Sequence, residues 1–461
     1  MKALHDPDRL LGEGLAQIRA QFRVPADFPP AVLEAASQAA RRGLDAHADR
    51  TAMAFVTLDP ASSTDLDQAF AIEPAGNDLL LHYAIADVAW FVGDGDLLDG
   101  EAWVRGETTY LPDGKAGLYP PALAEGAASL LPDGPRPAVV FTTRVAPDGA
   151  VRLEGAERAV IRSRAKLAYE TAQEADLPAG FAELARRIEA AEDQRGAARV
   201  DPPEQEVDHN GAGHYTLRFR PMLTAETRNA ALSLATNLAV ADALFKAGTG
   251  LFRVMSGPDA HATARLRHTA RAFGLTWPDA ASLEQFERML DPARPSDAAF
   301  MLAVRRAGAG ASYVPYQPGV VPWHAAMAAT YCHATAPLRR LADRYVVSAA
   351  LAVANGQPVP PAAAEAFARL PAVMAKAGAR SAQVERAVVD LAEAAILVGR
   401  EGEDFAAVVT DLAESGARFQ LCQLPVVARV AAHGVAPGAP IRVRLERADP
   451  ARREVSFARI A

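Results

Sequence analysis

The sequence predicts an α+β protein with a small C-terminal barrel. Three observations carry this: strand-type runs crowd the first 220 residues, helix-type runs fill Thr224 to about Gly399, and five short strands close the chain. These runs divide the 461 residues into a helical segment with a linker (1–45), a large central domain (46–400) and a terminal β-domain (402–461). Half the residues are hydrophobic and 23% are charged, which fits a globular protein and excludes wholesale disorder.

In order along the chain, residues 1–45 read as helical pieces around a proline break, FRVPADFPP. AMAFVTLD (52–59) alternates and ends in an Asp, and LLLHYAIADVAWFV (79–92) reads as a buried strand. Residues 136–167 read as strand, Asp-Gly turn, strand. FAELARRIEAAEDQRGAAR (181–199) is an amphipathic helix, followed by a Pro- and acid-rich loop, VDPPEQEVD (200–208), and a short strand, HYTLRFRPM (214–222). The last five runs are FAAVVTDL, ARFQLCQL, VVARVAA, PIRVRLERAD and REVSFARI. Their number and spacing fit an OB-type barrel, and equally another small β-domain.

The net charge of −8 excludes a uniformly basic, histone-like binder. It leaves room for a basic groove inside an acidic protein. Of 48 cationic residues, 43 are Arg and 5 are Lys; Arg is the better phosphate fork, but in a chain this rich in Ala coding composition is the favoured account. Two cysteines, Cys332 and Cys422, exclude a disulfide framework and a cysteine-built zinc site. The N-terminal residues lack a signal peptide's apolar core, and no run reaches the roughly 20 residues of a membrane span. A soluble, cytoplasmic protein is expected.

The sharpest motif is Asp59-Pro-Ala-Ser-Ser-Thr-Asp65-Leu-Asp67-Gln68. Pro60 stops ladder pairing and opens a loop of small polar residues. Asp65 and Asp67 are two apart, so in extended chain both face one side. A bend gathers three carboxylates, whose repulsion a hard divalent cation such as magnesium relieves. The same residues also suit plain turns and caps. The second motif is Thr335-Ala-Pro337-Leu-Arg339-Arg340-Leu-Ala-Asp343. Thr335 suits an N-cap and Pro337 a first helical turn. Arg339 and Arg340 then sit where the helix dipole favours anions, so a phosphate or carboxylate cluster is their natural partner. An Arg339–Asp343 pair at i,i+4 is the alternative.

With these motifs in order, the chain resembles the RNB family of exoribonucleases, the RNase II and RNase R group. The carboxylate loop is similar to the family's D-x5-D-x-D-D segment, ETTYLPDG (107–114) to its Tyr-Leu-Pro element, and TAPLRRLAD to its T-S-P-I-R-R-Y-A-D stretch. FRVPADFPPAVLEAA resembles the linker before the catalytic domain, and the resemblance covers roughly residues 20–400. It implies a mixed sheet surrounded by helices, an OB-type RNA-binding barrel at 402–461, and a magnesium-dependent hydrolytic 3′→5′ exoribonuclease. The implied partner is single-stranded RNA, the product nucleoside 5′-monophosphates, with no membrane and no obligate protein partner. Asp59, Asp65, Asp67 and Gln68 would hold Mg2+, with Asp67 catalytic. Arg339, with Arg340 a second candidate, would neutralise charge on the reacting phosphate, and Tyr110 would stack on the terminal nucleotide. Glu385 falls near a family glutamate and would contact substrate. Asp87, inside an apolar run, needs a partner and either supports the site or is a satisfied structural carboxylate.

The departures are as informative. Gln68 replaces the fourth Asp of the loop and removes a charge. Only about 20 residues precede the linker, where the family usually carries two cold-shock-type barrels. VDPPEQEVD has no second stacking aromatic, for which His209 or Tyr215 would substitute. The helix keeping Asn237 has Ala230 and Ala231 where acids are expected, and VPWHAAM (321–327) makes His324 a weak match. Two alternatives follow: a non-catalytic RNA-binding member of the same fold, and a magnesium phosphohydrolase acting on a small ester.

Overall fold

The computed structural model describes residues 2–5, 10–197, 204–209, 214–220, 222–291, 294–308, 310–413, 416–431, 434–436 and 438–460. Its centre is a mixed sheet of β1 (Phe55–Asp59), β2 (Gln68–Ala75), β3 (Asp78–Ala86), β4 (Arg136–Val145), β5 (Val151–Ile161) and β6 (Ser163–Ala168). The spatial order is β6-β1-β2-β3-β4-β5, with a two-residue strand, Ala48–Asp49, on the far edge. β1 to β5 pair antiparallel, while β6 joins β1 in parallel. The buried-strand run ends at Ala86; Asp87 then opens a one-turn helix, Val88–Phe91. In the β4–β5 turn Gly149 has φ +77°, and a Cβ there would lie 2.2 Å from the Arg187 carbonyl oxygen, so glycine is required.

Helices cover the sheet. The helix Phe181–Arg195, α1 (Thr224–Lys246) and α2 (Leu341–Ala354) bury their apolar faces against it. Phe55, Leu58, Phe70, Tyr83 and Phe141 of the sheet share one core with Leu232 and Leu244 of α1 and Leu341 and Val346 of α2. Each such side chain contributes roughly 1.5–3 kcal/mol of burial. The 37-residue α3 (Pro361–Leu397) leaves this core and enters a second one.

That second core joins the terminal barrel to the rest. β7 (Asp404–Ala413), β8 (Gly416–Leu421), β9 (Val427–Val430), β10 (Pro440–Asp449) and β11 (Glu454–Arg459) form an antiparallel sheet in the order β9-β8-β7-β10-β11, and β9 approaches β11 to nearly close it. This is the partly open five-strand barrel of an OB-type domain. Buried and exposed residues alternate along β10, as its sequence alternates. Phe405, Phe419 and Phe457 fill the barrel against Leu391 and Leu397 of α3 and Leu15 and Ile18 of the helix Leu10–Gln21.

Three expectations need correction. Residues 1–45 are not purely helical: Lys2–His5 is a strand paired with His214–Arg220. The acid-rich stretch is not all loop: Glu204–His209 is a strand, while residues 200–203 lie outside the described residues. The helical region also carries a four-stranded sheet of Leu251–Met255, Ala311–Pro315, Trp323–His324 and Ala329–Thr330. Among the described residues no helix is long and apolar enough to cross a membrane. Both cysteines are free.

Candidate active site

The carboxylate loop is held from every side. β1 delivers Asp59, and β2 starts at Gln68. Lys166, on the neighbouring β6, donates to the carbonyl oxygens of Ala61 (2.9 Å) and Ser63 (2.5 Å). The Ser129 hydroxyl donates to the Thr64 carbonyl at 2.8 Å and accepts from the Leu66 amide at 2.9 Å. Asn229, buried on α1, donates to the Leu58 carbonyl at 3.1 Å and to the Tyr169 hydroxyl at 3.0 Å. The backbone of Tyr169 in turn donates to the Asp59 carbonyl at 3.2 Å. A loop whose backbone is this fully satisfied holds its carboxylates without needing them as caps.

The arginine segment differs from expectation. α2 begins at Leu341, so Arg339 and Arg340 precede the helix. Thr335 hydrogen-bonds Ser233 at 2.9 Å and caps nothing. Asp343 explains the late start: its carboxylate accepts from the Ala336 amide at 2.8 Å, and the Gly106 carbonyl takes the Leu341 amide at 3.0 Å. Asn237 pins the approach, accepting from the Ala334 amide at 2.9 Å and donating to Tyr331 at 3.3 Å. The dipole argument for the arginine pair therefore does not apply.

The two arginines then part company. Arg340, not Arg339, pairs with Asp343, in a two-point contact of 3.0 and 2.8 Å. Burial opposes the Arg340 charge, and the fully buried Asp343 carboxylate offsets it and keeps the guanidinium charged. This is a structural ion pair. Arg339 instead reaches the carboxylate loop, with Nε 3.2 Å from Oδ2 of Asp67 and its side chain 46% exposed. Oδ1 of Asp67 accepts from the Leu338 amide at 2.7 Å. The two motifs thus meet at Asp67.

Burial dominates the electrostatics. It pushes both Asp59 and Asp67 up to about 7, and the negative charges of Asp67 and Asp65 add to the burial of Asp59. Oδ2 of Asp59 is buried with no hydrogen-bond partner. An orphaned carboxylate oxygen beside two further carboxylates is what a hard cation satisfies, so the donor chemistry fits magnesium. Among the described residues, however, no three His, Cys, Asp or Glu side chains are arranged as a metal cage. Asp65 is drawn aside: Lys115 lies 2.9 Å from its Oδ1 and the Tyr110 hydroxyl 3.5 Å from its Oδ2. The oxygen of Gln68 accepts from the buried Tyr83 hydroxyl at 2.7 Å.

Tyr110 lies on the hairpin Thr109–Leu111 and Gly114–Ala116, with half its surface exposed. The Thr108 amide donates to the Arg339 carbonyl at 2.9 Å, tying this hairpin to the arginine turn. An exposed ring beside Asp65 and Arg339 is available for stacking on a base. Glu385 is exposed on α3, one turn beyond Ser381, which touches Thr109 of the same hairpin at 3.5 Å.

Other candidates fall away. Asp87 is buried 3.0 Å from His47 and 2.8 Å from Arg158, a structural cluster. Tyr215 is buried in the second core and cannot stack, and the side chain of His209 lies outside the described residues. Buried His324 caps a short turn, its Nδ1 accepting from the Met327 amide at 3.3 Å. Sequence reasoning missed Lys115, Lys166, Tyr83, Tyr169 and Asn229. The sequence carries no local signal for them: two of the five lysines reach this loop only through the fold.

A mixed sheet that presents a carboxylate loop to an arginine turn, followed by a five-strand barrel, defines an RNB-type protein, and the chain belongs to the RNB domain family, whose model matches residues 48–353. Residues 403–460 match the RNase II-type exonuclease C-terminal S1 domain. The chain is 29% identical over 413 residues to Exoribonuclease 2 of Cronobacter sakazakii, covering 83% of this chain and 62% of that protein. It is 27% identical over 393 residues to Ribonuclease R of Aquifex aeolicus, covering 78% and 54%. The chain thus spans less than two thirds of the length of these curated relatives. Mycoplasma genitalium RNase R in complex with ribose methylated single-stranded RNA superposes with a TM-score of 0.87 at 19% identity, over 100% of this chain and 79% of that one.

Proposed function

We propose that the chain is a hydrolytic 3′→5′ exoribonuclease that degrades single-stranded RNA to nucleoside 5′-monophosphates with magnesium, in the cytoplasm. The observation that carries this reading is the meeting of Asp67 with Arg339 and the Leu338 amide, inside a domain of the RNB family. Relatives named Exoribonuclease 2 and Ribonuclease R support it.

Asp59 and Asp67 are the residues that would hold magnesium; Asp65 and Gln68 lie beside them, engaged by Lys115 and Tyr83. Bound there, the ion would supply Lewis acidity to the phosphate and make a water more acidic. The remaining roles belong to the chain. Arg339, half exposed and tethered at Nε, turns its other nitrogens toward a phosphate and offsets the charge that builds on it. Tyr110 stacks on the terminal nucleotide and sets the scissile bond against the carboxylates. The barrel extends the grip along the strand through its hold on phosphates.

End-labelled single-stranded RNA, incubated with magnesium and then with EDTA, separates the readings. Stepwise shortening that EDTA stops supports the hydrolase, and binding without cleavage supports a non-catalytic RNA-binding protein. No interaction with RNA points to a small phosphate ester as substrate.

A further inference from the structure

Lys115 and Tyr110 face each other across their hairpin, so their side chains leave the same face. Both arrive at Asp65. The Lys115 ammonium lies 2.9 Å from Oδ1 of Asp65 and 3.1 Å from Oε1 of Glu125, and its side chain is only 22% exposed. No step of the proposed hydrolysis uses this lysine.

We propose that Lys115 is an internal cation that claims Asp65, so that the pocket holds one divalent ion, on Asp59 and Asp67, rather than two. This rests on the magnesium reading and deepens it. The charges point the same way. Three loop carboxylates face three protein cations: Arg339 on Asp67, Lys115 on Asp65, and Lys166, which is held on the Ala61 and Ser63 carbonyls and acts on Asp59 without bonding it. The oxygen left over is Oδ2 of Asp59, buried and unpartnered. Gln68 brings no charge, and its oxygen already accepts from Tyr83. A second divalent ion at Asp65 would have to sit against a fixed ammonium in a poorly screened site, which Coulomb repulsion opposes. Lys115 is thus a positioning residue: it fixes Asp65 as the seat of the Tyr110 hairpin and thins the metal site to one ion.

The test counts ions without turnover, by manganese(II) titration of the full chain read by electron paramagnetic resonance and calorimetry, with RNA absent. The wild type should bind one ion tightly. Lys115→Met should gain a second ion or tighten binding by about tenfold, and Lys115→Arg should keep the wild-type count. Asp65→Asn should leave the single ion within a few-fold of wild-type affinity, while Asp59→Asn should weaken it about tenfold or more. Two ions of similar affinity on the wild type would overturn the proposal while leaving the magnesium reading standing, and the wild-type count does not depend on any variant folding. A Lys115→Met protein that folds and binds as wild type would overturn it too. No manganese bound at all would overturn both.

Discussion

Arg339 and Asp67, from opposite ends of the domain, meet with the guanidinium Nε 3.2 Å from the carboxylate, while the neighbouring Arg340 turns away to Asp343. Two adjacent arginines therefore have separable roles. Arg339→Ala should lower the hydrolysis rate by about a hundredfold or more with little change in melting temperature. Arg340→Ala strands the buried Asp343 charge and should destabilise the fold by about 3–5 kcal/mol. Rate assays and thermal melts on both variants check this; equal loss of stability in the two would contradict it.

Asp67→Asn should abolish hydrolysis while keeping RNA affinity within a few-fold. The Asn oxygen still accepts from the Leu338 amide, and removing a carboxyl that burial pushes up to about 7 relieves the site. Single-turnover rates and filter binding test this together, and full activity would exclude Asp67 from the machinery.

Gln68→Asp restores a charge but is one methylene shorter, so it draws back from Tyr83. The variant should need less magnesium for half-maximal rate and should lose about 1–3 kcal/mol through the buried Tyr83 hydroxyl. A magnesium titration without any shift would mean that residue 68 does not face the ion.

These contrasts show what was legible beforehand. The loop from Asp59 to Gln68 was readable because its spacing is local, and the barrel strands because alternation along β10 matches burial. The start of α2 was not. Pro337 does open a turn, closed by the Arg340 amide on the Ala336 carbonyl at 3.0 Å, but the Asp343 carboxylate on the Ala336 amide and the bridge from Glu107 to Arg340 separate that turn from the helix, which starts at Leu341. Lys115, Tyr83 and Asn229 take their places through partners far along the chain, which no local pattern announces. The strand Lys2–His5 was hidden for the same reason, since its partner begins at His214.

Glu393, buried on α3, accepts from Gln205 at 2.6 Å and from the Val427 amide of the barrel at 2.7 Å. Burial pushes its carboxyl up to about 7. Between the unfolded value near 4.3 and about 7 the folded state holds a proton that the unfolded chain releases, so stability falls as pH rises through that window. Glu393→Gln keeps an acceptor and removes the ionisation. It should be more stable than wild type by about 1–3 kcal/mol at pH near 8 and nearly equal near pH 4. Parallel melting profiles of the two proteins would contradict the buried, raised carboxyl.

The barrel shares its core with α3 and the helix Leu10–Gln21, so deleting 402–461 would expose Leu15, Ile18 and Leu391 as well as remove a grip. Surface substitutions are the cleaner probe. Arg429 and Arg442 are exposed on β9 and β10. Replacing both with Ala should weaken the binding of long single-stranded RNA and flatten its salt dependence, by about 0.7 in slope for each phosphate that is no longer neutralised. Cleavage of very short oligonucleotides should survive. Unchanged affinity and slope would show that this face does not track the strand.

The central claim is that the Asp67–Arg339 pocket removes nucleotides from an RNA 3′ end. The most direct measurement follows 5′-labelled single-stranded RNA carrying one internal deoxynucleotide, incubated with magnesium. The account predicts a ladder that shortens from the 3′ end, releases 5′-monophosphates, stalls at the deoxynucleotide because sugar contacts position the scissile phosphate, and stops in EDTA or with Asp67→Asn. Intact RNA in all lanes, or cleavage that the Asp67→Asn protein retains in full, would contradict it.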